Sequence, residues 1–162
     1  MSFTWAIEPF RDACEREAQS FCERTGAIDH GFRRTSGLFL DYRLSLGPVG
    51  FLVRGYCAPV FEIGAVVLPL GPATIALDRP DWSDARPYVP VVNAITQLGV
   101  QADITSIVAR NPYEVSSGVH TAFERLELMC QHIDELPRAF AKQVEWGKKL
   151  VEWFRAQRRS MG

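Results

Sequence analysis

Few residues in this chain have side chains and spacings suited to chemistry. Cys57 stands in "VRGYCAPVFEIG", a thiol beside a proline between two runs of β-forming residues. A nucleophilic cysteine needs a base to take its proton and a third group to orient that base. No histidine is close to it in sequence, the three being at 30, 120 and 132. Cys57-Ala58-Pro59 therefore reads as the loop of a hairpin, with Cys57 a turn residue. Cys14, Cys22 and Cys130 fall on apolar stripes at helical spacing, where a thiol serves as a small hydrophobe. His120 and His132 share a helix but are about 120° apart around its axis, so they cannot hold one metal. Cys130 and His132 point about 200° apart on the same helix. Asp41 and Glu62 have the types of an acid and a base, but Arg54 falls between them and would lower both pKa values. The chain holds no GxGxxG, GxxxxGK[ST], GxSxG or HExxH. No catalytic residue, metal ligand or cofactor is assigned, and the reading is non-enzymatic.

Surface that can bind is easier to find. Trp82 lies in "DRPDWSDARP" with Asp78, Asp81 and Asp84 beside it, where no helical or strand period explains a large apolar side chain. It is either a lid folded onto the core or an aromatic anchor ringed with acid, suited to a basic partner. Trp146 and Trp153 are seven apart and stack on one helical face, offset from the stripe Phe140, Val144 and Phe154. They either edge the core or, where open, form a partner-binding surface, since tryptophan is enriched at interface hot spots.

These residues need elements to position them. A helix is expected over about 9–25, from Pro9 to the stop at Gly26, with Phe10, Ala13, Cys14, Ala18, Phe21 and Cys22 inward. The period then changes from 3.6 to 2. Leu38, Leu40, Tyr42, Leu44 and Leu46 share a face; Val49, Phe51 and Val53 follow the turn at Gly47-Pro48; Phe61, Ile63, Ala65 and Val67 come next; Ala73, Ile75 and Leu77 make a fourth strand. A two-residue turn sets Leu44 opposite Phe51 and Tyr42 opposite Val53. A three-residue turn at 57–59 sets Val53 opposite Ile63, and another at 70–72 sets Val67 opposite Ile75. The other face then carries Asp41, Arg54 and Glu62 as a solvated charge ladder. A helical segment over about 88–158 completes the chain. It holds a short helix with Val91, Val92, Ile95 and Leu98 inward, an ambiguous stretch at 100–115 (helical turn or short strand), a linker "NPYEVSSG" ending in N-caps at Ser116 or Ser117, and two long helices. In the last, which Asp134 caps, the expected core stripe is Leu136, Phe140, Val144, Leu150 or Val151, and Phe154.

The fold class expected is α+β: a four-stranded antiparallel meander over about 37–78, with an N-terminal helix and C-terminal helices on one face and a more polar opposite face. The 162 residues suit a single domain, long enough to bury about 70 % of the unfolded surface. A net charge of −1 gives no electrostatic footprint for nucleic acid or an anionic membrane. No export signal or apolar run of about 18 residues is visible, so the expected location is the cytoplasm, with reduced cysteines.

The helix "PFRDACEREAQSFCERTG" and the meander "GLFLDYRLSLGPVGFLVRGYCAPVFEIGAVVL" resemble, in architecture, the small bacterial immunity proteins of polymorphic toxin systems. The resemblance covers under half the chain and implies a compact domain that neutralises a cognate toxin by direct binding, with no residue roles to carry over. The expected partner is a protein, a cognate toxin or secreted effector; a homodimer is the other possible assembly. A secretion-chaperone-like adaptor is the runner-up, although such chaperones are strongly acidic. A small-molecule-binding or enzymatic domain with a pocket between sheet and helices is the alternative from another class.

Overall fold

The computed structural model describes residues 2–34, 37–70 and 88–161. Helix α1 spans Thr4–Thr25 and buries Ala6, Phe10, Ala13, Cys14, Ala18 and Phe21. Its end is set by Gly26, at φ 79°, whose N–H donates to the Cys22 carbonyl. It begins before the expected Pro9 because Phe3 and Trp5 pack against the Phe61 ring, with centroids 6.4 and 5.9 Å away. Those contacts hold the extra turn.

Among the described residues, six strands form one antiparallel sheet: β1 (Ile28–Arg34), β2 (Phe39–Leu46), β3 (Val49–Cys57), β4 (Phe61–Pro69), β5 (Val89–Pro90) and β6 (Ile107–Ala109). β1 to β4 follow one another as a meander, and both β5 and β6 pair with the remaining edge of β4. β1 was absent from the expected sheet because "IDHGFRR" does not alternate. A bulge between Asp29 and Gly31 breaks its period, and Gly31 takes φ 84° there. Asp29 secures the bulge by accepting from Gly31 N at 2.8 Å and from the Tyr42 hydroxyl at 2.6 Å. The expected strand over 73–77 lies outside the described residues; the position beside Val67 is held by Val89.

The first hairpin has the expected register, with Leu44 opposite Phe51 and Tyr42 opposite Val53. The second is shifted by two residues. Val53 faces Ala65 and Phe51 faces Val67, because the turn is Ala58-Pro59-Val60 and Cys57 closes β3 as a paired strand residue. A shift of two keeps every side chain on its face but changes its partner. Arg54 therefore faces Gly64, and Glu62 faces Tyr56.

The charge ladder is corrected accordingly. Asp41 is fully buried and accepts from Arg54 Nε at 2.7 Å and Nη2 at 3.0 Å. Phe39 and Tyr88 stack toward the same guanidinium, at 4.8 and 5.9 Å from ring centre. Leu52, Val66, Leu68 and Leu70 form a second small apolar cluster on this face, with Tyr88 against it. The face away from the helices is thus partly closed.

Helix α2 (Val91–Leu98) buries Val91, Ala94 and Ile95 and stops at Gly99. The ambiguous stretch at 100–115 resolves into irregular chain up to Ser106, the short strand β6 and the start of the next helix. Arg125, itself buried, ties it down by donating from Nη2 to the Thr105 carbonyl at 2.8 Å. "NPYEVSSG" is not a linker. It opens α3 (Pro112–Gln131), with Pro112 at the first helical position and the Asn111 side chain accepting from Glu114 N. Glu114 reaches back to accept from Arg110 N at 2.6 Å. A short 3₁₀ turn (Ile133–Glu135), which includes Asp134, leads into α4 (Leu136–Met161).

The fold is α+β. Helices α1 and α3 cover one sheet face, and the main core lies between, built on Phe10, Phe21, Phe51, Phe61 and Phe123. Phe21 meets Phe51 and Phe123 edge-on, at 6.1 and 5.6 Å. Gly118 lets α3 approach the sheet: a Cβ there would stand 2.6 Å from Ile107 Cγ2 and 2.9 Å from Ile63 Cδ1.

Candidate interaction surface

The thiols are not activated. Burial pushes the Cys57 thiol up from its ordinary pKa, with Arg34 only partly opposing it, and no histidine–cysteine hydrogen bond occurs among the described residues. Cys57 lines a groove of about 420 Å³ with Phe3, Ile7, Arg34 and Leu38 at one end of the sheet. Among the described residues lining that groove there is no histidine or carboxylate to serve the thiol. Burial also raises Cys14 and Cys22, and it pushes Cys130 up to about 12.

Each histidine has a structural partner. His120 joins α3 to α1 through Glu17 at 2.9 Å and touches Glu124 at 3.0 Å. His132 pairs with Glu135 at 2.7 Å where α3 ends. His30 Nε2 lies 2.7 Å from Ser45 Oγ, a contact the sequence does not reveal because the β1 bulge creates it. Ser45 is only 5 % exposed, so its hydroxyl is closed to a substrate. Among the described residues, no three His, Cys, Asp or Glu side chains are grouped for a metal ion. The main core occupies the interface between the sheet and helices α1 and α3, and a groove of about 260 Å³ lies at its edge, where Glu62 and Ala65 of β4, Val91 of α2 and Arg125 of α3 converge.

The unusual feature is α4. Its first turns bury Leu136, Ala139 and Phe140 against α2, β4 and β5. Beyond Phe140 no residue of the helix is buried. The expected core stripe is therefore corrected: Val144, Leu150, Val151 and Phe154 are exposed, Phe154 at 56 %. Trp146 and Trp153 are exposed too, at 58 and 55 %. The physical reason is reach, since the helix contacts α2, β4 and β5 through its first turns and, among the described residues, has no further part of the body beneath it.

At about 100° per residue these side chains form one continuous face. Trp153, Trp146, Leu150, Phe154, Val151 and Val144 span about half the circumference, and Gly147 lies near its middle. Trp153 and Phe154 meet edge-on at 5.1 Å. Three aromatics of about 150–250 Å² each, more than half exposed, give on the order of 300 Å² of bare apolar surface before the aliphatics are counted. That matches the largest patch on a typical monomer, which is often functional. Trp146 and Trp153 thus belong to one exposed surface. Trp82, Asp78, Asp81 and Asp84 lie outside the described residues.

Compared with protein-family models, curated proteins and solved structures, the chain matches none. Among the described residues, no helix is long and apolar enough to cross a membrane.

Proposed function

We propose that the protein is a non-enzymatic binding module that holds a protein partner on the open apolar face of α4. One observation carries this reading: a helix whose core stripe is buried through Phe140 continues the same stripe for more than three turns with its apolar side chains exposed and none of the described residues packed over them. An apolar face of this width is stabilised by cover, at roughly 25 cal/mol for each Å² removed from water. The inert thiols and the histidines engaged in structural contacts support a role without catalysis. A cognate toxin or secreted effector is the partner class that the architectural resemblance implies, and a cytoplasmic location accompanies it.

The test is affinity capture of the tagged full chain from its native host, run beside the double variant Val151→Asp/Phe154→Asp and the single variant Trp82→Ala. One stoichiometric protein held by the wild type and released by the α4 variant is the expected result. Retention by the α4 variant with loss on Trp82→Ala would move the site to residues 78–84. A wild type that emerges alone would contradict the reading.

A further inference from the structure

The charges around α4 specify what covers it. Of the chain's 18 basic and 19 acidic residues, six basic and only two acidic ones fall within 141–161. Five of the six line the apolar face, and the sixth, Arg159, lies about 150° from its middle. Lys142 and Lys149 run along the tryptophan edge of the apolar face, and Lys148 and Arg155 along the valine edge, all about 110–130° from its middle. Glu145 and Glu152 lie on the far side, about 170° away. Arg158 closes the apolar side at the last turns, beside Val151 and Phe154. Lys142 reaches the Gln97 carbonyl at 3.5 Å; Lys148, Lys149, Arg155 and Arg158 form no ion pair among the described residues.

We infer that the occupant of this face is a separate protein segment, an amphipathic helix whose apolar stripe is flanked on both sides by carboxylates. The inference rests on the binding reading above and deepens it. Two other occupants fit less well. A second copy pairing α4 with α4 would set basic edge against basic edge along both sides, which is repulsive in either helix direction. An anionic bilayer would match the charges but not the shape. The open face continues the stripe of Leu136, Ala139 and Phe140, so it turns toward the side on which the body lies. A flat lipid surface would have to clear the body on which Leu136, Ala139 and Phe140 pack in order to lie against that face, whereas a single helix would not. Gly147 adds a notch at the centre of the face: a Cβ built there meets nothing within 4 Å, so the fold of this chain does not require glycine. A knob from a facing helix would use that space, and a lipid surface would not.

The test uses the purified full chain and a displayed library of helix-forming peptides of about three heptads, with apolar and flanking positions randomised. Enriched peptides should carry Asp or Glu on both flanks of an apolar i, i+3/i+4, i+7 stripe. Their Kd should rise at least about tenfold on Lys148→Glu/Arg155→Glu and recover when the facing peptide flank is changed to Lys. All substitutions are on exposed positions, and an unchanged circular dichroism spectrum confirms the fold. Peptides that need Val151 and Phe154 but have neutral or basic flanks would overturn the acidic partner and leave the binding face standing. Peptides indifferent to Val151→Asp/Phe154→Asp would overturn both. A dimer in sedimentation that this variant dissociates would install a second copy instead. A blue shift of tryptophan emission on vesicles of equal parts phosphatidylcholine and phosphatidylglycerol, lost in the variant, would install a membrane.

Discussion

Gly118 and Gly147 are both helical glycines, and their surroundings differ in a way that fixes opposite outcomes. A methyl group at 118 would strike Ile107 and Ile63, so Gly118→Ala overpacks the contact between α3 and the sheet and should cost about 1–3 kcal/mol. At 147 nothing stands in the way, and Gly147→Ala should stabilise the helix by roughly 0.5–1 kcal/mol. Urea midpoints of the two variants at constant m-value check both signs. The thiols give a pH prediction at the same scale. Cys130 titrates near 12 in the folded protein but near about 8.5 once unfolded. Its raised value contributes stability that is fully present below the unfolded pKa. As pH climbs from about 8.5 toward 12 the unfolded thiol ionises first, and that contribution is lost. Wild type should therefore weaken more than Cys130→Ala across this window in chemical denaturation. Equal slopes would remove the assignment.

At the scale of elements, the sequence displays what is periodic and hides what depends on partners. The apolar positions of α1, β2, β3 and β4 were legible because alternation and helical spacing belong to one segment at a time. The first hairpin's register was legible as well, because Gly47-Pro48 permits only a tight turn. The second was misplaced by two residues, since Cys57 can end a strand or begin a turn and both keep the faces aligned. β1 was missed through its bulge, and the start of α3 was taken for a linker because "NPYE" is turn chemistry as well as a capped helix start. The exposed apolar face of α4 was half legible. The spacing of Trp146 and Trp153 put them on one helical side, but whether that side is covered depends on where the body ends. The Asp41–Arg54 pair shows the same dependence: its charges were visible, its burial was not. Because Asp41 is fully buried, Arg54→Met removes two charge-assisted hydrogen bonds from a buried carboxylate and should cost about 1.5–3 kcal/mol, read as a drop in urea midpoint. A loss under about 1 kcal/mol would mean the pair is solvated after all.

The molecule as a whole divides into a body that holds the core and a last helix whose apolar side chains beyond Phe140 are exposed. The body closes its core by Phe140, and no side chain beyond it is buried. Val151→Asp/Phe154→Asp should then leave thermal stability within about 0.5 kcal/mol of wild type, as surface changes do, while abolishing partner binding. The most direct measurement is photo-crosslinking in the native host from benzoylphenylalanine placed at Val151 on the apolar face, or at Glu152 on the opposite side. The account predicts one dominant adduct from position 151, with a protein other than this chain, and none from 152. No adduct from 151, equal adducts from both positions, or an adduct of twice the chain's own mass would contradict it.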